Sequence, residues 1–155
     1  MQRLREGNIR NILVFYGGSD LTNETMKALR SLATLSLRSV TVNVVVGGSN
    51  PHRGEIQDFC RQQSNFCYFC QVSCIAALMN EADLSLGAGG TTIWERHFLG
   101  LPSIVTAIAE NQIKVCEDCA QVGMIEYLGE AANVSESDIT AAVRRHMDVS
   151  ATPPT

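Results

Sequence analysis

The sequence predicts an α/β domain with a parallel sheet covered by helices on both faces. Three observations predict it. Short runs rich in Val, Ile and Leu alternate with longer segments whose apolar residues recur at helical spacing. The short runs are continuously apolar, as in strands buried on both faces. Three of them end in paired glycines, Gly17-Gly18, Gly47-Gly48 and Gly89-Gly90, which sets three permissive loops at one end of the sheet.

Taken in order, residues 11–16 (Asn-Ile-Leu-Val-Phe-Tyr) form the first predicted strand, ended by Gly17-Gly18-Ser19-Asp20. Residues 21–37 carry Met26, Leu29, Leu32, Ala33 and Leu37 at helical spacing, with Thr22 or Asn23 as the cap. Residues 40–46 are a β-branched second strand, ended by Gly47-Gly48-Ser49-Asn50-Pro51. The strand and Gly-Gly-Ser-Asx loop thus occur twice, one βα unit apart. Residues 52–63 read as a helix with Ile56, Phe59 and Cys60 apolar. Residues 65–71 read as a third strand, and 74–81 as a helix capped by Ser73, with Ile75, Leu78 and Met79 on its apolar face. The fourth strand is expected at 82–86, running into a glycine turn. A helix over 92–99 follows, stopped by Gly100 and Pro102. The fifth strand is expected at 103–107, a helix at 110–122 ending at Gly123, and a sixth strand at 124–128. Ser135-x-x-Asp138 has the spacing of a capping box and opens a last helix over 136–147. Residues 1–150 are expected to make one domain and 151–155 a frayed tail. A Rossmann-like strand order 3-2-1-4-5-6 puts strands one and four at the switch point, where open parallel sheets bind ligands.

Composition narrows the function. The chain has 155 residues, 45% apolar and 18% charged, which excludes a disordered polymer. A net charge of −4 makes nucleic acid an unfavourable partner. No run is long and apolar enough for membrane insertion, and the first eight residues lack the apolar core of a signal peptide, so the expected location is cytoplasmic. Cys67-x-x-Cys70 and Cys116-x-x-Cys119 imitate a zinc pattern, but the pairs lie too far apart for a knuckle. On a strand, residues three apart point to opposite faces. The cysteines are therefore read as reduced, mostly buried thiols, with no metal and no cofactor expected.

The loops carry the chemistry. A Walker lysine and a Gly-x-Gly-x-x-Gly fingerprint are both missing. What stands after strand four is Gly89-Gly90-Thr91-Thr92, which offers backbone N–H groups and two hydroxyls to a diphosphate. The same glycines also suit a plain tight turn. Glu95, three residues after Thr92, fits a capping box. It equally fits a carboxylate that accepts hydrogen bonds from two ribose hydroxyls. Trp94 is read as core. His52, His97 and His146 are scattered, and no catalytic residue is assigned.

The run Asp83-Leu-Ser-Leu-Gly-Ala-Gly-Gly-Thr-Thr-Ile-Trp-Glu95, then Leu99-Gly-Leu-Pro-Ser103, then Glu110-Asn111-Gln112, resembles the C-terminal, nucleotide-sugar-binding half of glycosyltransferase-B-fold enzymes. The pattern is most similar to the PseG/SpsG group of UDP-sugar hydrolases and spore-coat polysaccharide proteins, and more distantly to MurG-like transferases. The resemblance covers nearly the whole chain, including the Gly-Gly-Ser loop and the Gly-Ser-Asn-Pro loop with Ser49 and Asn50. It implies that Gly89, Gly90, Thr91 and Thr92 hold the diphosphate and that Glu95 binds the ribose. It implies that Val72, with Ile75 nearby, meets the uracil edge through its backbone. Asn111 and Gln112 would reach the sugar or its distal phosphate, and Gly17, Gly18 and Ser19 would line the side of the cleft facing the other domain.

The group's enzymes have two such domains. The resemblance implies a partner for this chain, either an N-terminal domain or a separate catalytic subunit, and a chain inactive alone. Three readings follow: the UDP-sugar-binding half of a hydrolase, the donor-binding half of a transferase, or a non-enzymatic interaction domain with vestigial loops.

Overall fold

The computed structural model describes residues 8–73, 75–90, 93, 96, 97 and 99–151. Among them the chain runs β1 (Asn11–Phe15), α1 (Glu24–Thr34), β2 (Thr41–Val46), α2 (Arg53–Arg61), β3 (Phe66–Cys70), α3 (Ile75–Glu81), β4 (Leu84–Ala88), β5 (Ser103–Ala107), α4 (Glu110–Gln121), β6 (Glu126–Glu130), a 3₁₀ turn (Ala131–Asn133) and α5 (Glu136–Ala151). The six strands form one sheet in the order β3-β2-β1-β4-β5-β6, and every pairing is parallel, as the sequence predicts.

β1 lies in the middle because its sequence can be buried on both faces. Ile12 and Val14 turn to a core built with Met26, Leu29 and Leu32 of α1, Ile56 of α2, and Ile139 and Val143 of α5. Leu13 and Phe15 turn the other way, to Met79, Leu78 and Ile75 of α3 and to Leu101. Val105 and Ala107 of β5 pack beneath Ile93 and the Cys116 and Cys119 side of α4. Three layers result. Each large apolar side chain wholly removed from water stabilises the fold by about 1.5–3 kcal/mol.

Polar anchors fix the ends. The Asp83 carboxylate accepts from the backbone N–H groups of Arg10 and Asn11, both at 2.9 Å, which ties the entry of β1 to the entry of β4. Lys27 donates to the carbonyls of Ala131 (3.0 Å) and Val134 (2.8 Å), so the segment before α5 is held on α1. The expected capping box is present: Ser135 N–H donates to Asp138, and Asp138 N–H to the Ser135 hydroxyl. These bonds hold the Asp138 carboxyl below the usual range.

Four expectations need correction. β4 does not stop at residue 86 but continues through Gly87 and Ala88, because Gly87 pairs with Phe15 of β1 and Ala88 with Thr106 of β5. Ladders on both sides override the weak strand preference of glycine. β6 starts two residues later than residue 124, and a bulge opposite Val105 and Thr106 leaves Leu128 out of the ladder, next to Gly129, whose φ is 122°. α1 is shorter than residues 21–37, because Asn23 caps it from a left-handed conformation and the chain leaves at Leu35. α5 runs past residue 147 to Ala151, where the expected tail begins.

Gly47 packs against the neighbouring loop backbone. A Cβ there would overlap the carbonyl oxygen of Gly18, which cannot move without shifting the end of β1. Gly47→Ala is expected to lower stability by about 1–3 kcal/mol, the cost of overpacking. Gly54→Ala in α2 meets open space and is expected to be neutral or stabilising. Urea titrations of the two variants check the pair.

Candidate functional site

The candidate site is the rim formed where β1 to β5 end. Strand order reverses at the β1–β4 seam, so the loops after these strands diverge and leave a crevice.

The loop after β1 begins at Gly17 (φ 90°) and exposes Gly18 and Ser19. Asp20, by contrast, is buried. Its carboxylate accepts from the N–H groups of Glu24 and Thr25, each at 2.8 Å, and from the Thr25 hydroxyl. It satisfies the opening of α1 and is spent on that task. Its neighbour Glu24, also buried, pairs with Lys27 at 2.7 Å and accepts from the Thr22 hydroxyl.

The loop after β2 rests on the first. The Ser49 hydroxyl lies 3.3 Å from both the Gly18 carbonyl and the Ser19 hydroxyl. His52 reaches back to the Leu21 carbonyl at 2.9 Å; a carbonyl only accepts, so Nε2 carries the proton. Asn50 is 1% exposed, and its Oδ1 accepts from His52 N–H at 2.7 Å. Asn50 therefore shapes its own loop, while Ser49 faces the rim. Gly48 lies against the Gln71 side chain, which brings the loop after β3 into the group. Val72 and Ile75 beyond it are half-buried over the α3 core.

The second group gathers at β4 and β5. Gly89 N–H donates to Thr106 at 3.1 Å, and Ile93 N–H to the Gly90 carbonyl at 3.1 Å, so the expected turn closes here. A Cβ on Gly89 would overlap the Cys116 sulfur. Gln112 accepts from Ile108 N–H at 2.9 Å through Oε1, which leaves its amide nitrogen 3.8 Å from where a Cβ on Gly90 would stand. Gln112 thus links the loop after β5 to the glycine turn, and Asn111 beside it is exposed. The two groups meet at the seam, where Gly87 faces the Phe15 carbonyl. Thr91, Thr92, Trp94 and Glu95 lie outside the described residues, as does Cys74.

The structure adds one residue to the sequence reading. Arg96 is 1% exposed, and its guanidinium lies against Gly87. Its signal in the sequence was a charged residue amid a turn of apolar neighbours, Ile93, Leu99 and Leu101. His97 is exposed, and His146 contacts Glu126 at 3.0 Å on the far side of the domain, so neither joins the rim. Among the described residues no group of three His, Cys, Asp or Glu could hold a metal ion, and no helix is long and apolar enough to cross a membrane.

The cysteines divide more evenly than expected. Cys60, Cys116 and Cys119 are buried, whereas Cys67 and Cys70, on the edge strand β3, are exposed. Burial pushes the Cys60 and Cys116 thiols up to about 11. Since the thiolate is the nucleophile, iodoacetamide at neutral pH is expected to modify Cys67 and Cys70 well before Cys60 and Cys116, read by peptide mass mapping. Gly89→Ala is expected to destabilise the fold, and Cys116→Ala in the same chain to recover most of that loss. A double-mutant cycle in urea measures the coupling.

Sheet order, winding and glycine loops at the switch point define a Rossmann-like three-layer domain of the glycosyltransferase-B type. Over residues 11–150 the chain matches the glycosyltransferase family 28 C-terminal domain, and it belongs to that family. It is 27% identical over 139 residues to the spore coat polysaccharide biosynthesis protein SpsG of Bacillus subtilis strain 168, covering 89% of this chain and 41% of that protein. It is 30% identical over 121 residues to an uncharacterized protein of Methanocaldococcus jannaschii, covering 76% of this chain and 25% of that one. MurG of Acinetobacter baumannii superposes with a TM-score of 0.67 at 17% identity, over 95% of this chain and 46% of that one. A UDP-GlcNAc 2-epimerase of Neisseria meningitidis, bound to UDP-GlcNAc, gives 0.71 at 16% identity, over 90% and 37%. These two likenesses show the fold. The chain spans less than half the length of each of these proteins.

Proposed function

We propose that this domain binds the UDP part of a UDP-sugar and is the nucleotide-sugar half of a PseG/SpsG-like hydrolase in surface or spore-coat polysaccharide (nonulosonic acid) biosynthesis. One observation carries the proposal: in a family 28 C-terminal domain, the Gly89–Gly90 turn stands at the β1–β4 switch point, with Gln112 reaching across to it. Gly89, Gly90, Thr91 and Thr92 would hold the diphosphate through N–H groups and hydroxyls, and Glu95 the ribose hydroxyls. Val72 would meet the uracil edge. Asn111 and Gln112 would face the sugar, and the exposed Gly18, Ser19 and Ser49 the opposite wall. The N–H groups would stabilise the leaving diphosphate as water attacks the sugar. Leu21, 73% exposed beside the Gly17–Gly18 loop, suits a rim covered by a second domain or subunit. Its place of action would be the cytoplasm.

Similarity to MurG over 95% of the chain favours a second reading, the donor half of a transferase. The two differ in what accepts the sugar, water or a hydroxyl, and the facing half supplies that choice.

Titrating the ¹⁵N-labelled chain with UDP tests the binding reading. Saturable amide shifts are expected at residues 89–95 and around Val72. Glu95→Ala is expected to weaken UDP by about tenfold or more, consistent with loss of hydrogen bonds to a charged group, and to leave the fold intact. Unmoved amides at millimolar UDP would sink the reading. Joined to its facing half, the chain is expected to release UDP from a UDP-sugar in water alone. Release only with an added acceptor would favour the transferase.

A further inference from the structure

Gln71 has no role in the reading above, yet it stands in a left-handed conformation, φ 55°, that few residues with a side chain adopt. Its N–H donates to the Val46 carbonyl at 3.0 Å, one step beyond the Val46–Cys70 pair that ends the β2–β3 ladder. The chain therefore leaves the edge strand at Gln71 itself. The next residue is Val72, whose side chain packs against the core of Leu13, Val45 and Met79. Gln71 is exposed, so no apolar burial holds it in place. Backbone conformations of this kind persist where neighbouring contacts over-determine them, and they cluster at functional sites.

The contact that does hold it is with Gly48. The Gln71 amide occupies the place where a Cβ on Gly48 would stand. Gly48 is not among the glycines with positive φ, so its backbone has no need of glycine. What glycine supplies here is room for the Gln71 side chain. The Gly48 loop is in turn seated on the first loop, through Gly47 against Gly18 and Ser49 beside Ser19. A line of contacts thus runs from Gln71 through Gly48 to both glycine loops. Among the described residues no hydrogen bond takes up the N–H or the carbonyl of Val72. A donor and an acceptor therefore stand open on one half-buried residue, and the N–H and C=O on the edge of a uracil ring are the matching pair.

We infer that Gln71 is a positioning residue of the nucleobase site: its left-handed backbone presents the Val72 N–H and carbonyl to the base, and its side chain, seated on Gly48, braces that turn against the second glycine loop. The inference rests on the reading above in which Val72 meets the uracil edge. Gln71 touches no ligand in this role. It spares the ligand the cost of ordering the segment that does, which is how a preorganised site gains affinity without a new contact.

The test compares UDP with pyrophosphate, which keeps the diphosphate and lacks base and ribose, on wild type, Gln71→Ala, Gln71→Met and Gly48→Ala. Alanine and methionine carry the same backbone cost at position 71, but only methionine keeps the reach to Gly48. Gln71→Ala is expected to weaken UDP about fivefold and leave pyrophosphate unchanged, and Gln71→Met to recover most of the loss. Gly48→Ala displaces only the flexible end of the Gln71 side chain, so the fold is expected to hold while UDP weakens as in Gln71→Ala. The double variant is expected to bind no more weakly than either single one. Unchanged UDP affinity in Gln71→Ala or Gly48→Ala, equal losses of UDP and pyrophosphate, or no recovery by methionine overturns the inference. Should Gln71→Ala fail to fold, Gly48→Ala and the wild type carry the test: the wild-type Gln71 side-chain NH₂ signals are expected to shift with UDP and to stay still with pyrophosphate. Still signals under saturating UDP overturn the inference as well. Failure of the uracil reading looks different, since the Val72 amide of the wild type then stays still under UDP, and the inference falls with it.

Discussion

Parallel pairing of β1 with β2 on one side and β4 on the other is the constraint on which the molecule depends. A strand hydrogen-bonded on both edges and covered on both faces must be apolar throughout, and Ile12, Leu13 and Val14 meet that demand with no exposure. Because the chain winds from β1 toward β3 and then returns to β4, the loops at the two ends of β1 and β4 separate. The crevice there is a result of topology. Side chains refine it but do not create it.

Close backbone approach is the second theme. Gly47 against Gly18, Gly87 against Phe15 and Gly89 against the Cys116 sulfur are three places where a methyl group would not fit. All lie at the carboxyl end of the sheet. Together they let the loops nest, so that hydroxyls on separate loops, Ser19 and Ser49, come within 3.3 Å of each other. Within this nest Gly18 stays exposed and Gly90 half-buried.

Four polar groups under the rim are engaged with a loop or helix end: Asp20 with the start of α1, Asn50 through its Oδ1 with the start of α2, Gln112 with Ile108, and Lys27 with the carbonyls before α5. Buried polar atoms are tolerated when satisfied, and here they also set the angle at which each loop leaves the sheet. Arg96 brings its guanidinium to the seam itself, against Gly87.

Much of this architecture was readable in the residue order. Continuous apolar runs identified parallel strands, the repeated Gly-Gly-Ser-Asx loops placed their ends at one edge, and Ser135-x-x-Asp138 named a helix start that the hydrogen bonds reproduce. Helical spacing and caps are local properties, governed by neighbours a few residues apart, so a linear reading reaches them. The end of β4 was missed because Gly87 and Ala88 are held as strand by partners in β1 and β5, distant in sequence. Local context likewise gave no sign that Cys67 and Cys70 would be left uncovered on an edge strand. Nor did it show that Asn50 would turn inward, or that Arg96 would find room against Gly87 of β4. The order of residues determined which segments become strands and helices and where the loops gather. Tertiary packing decided which loop atoms face solvent and which charge is buried, since both depend on contacts between segments far apart along the chain.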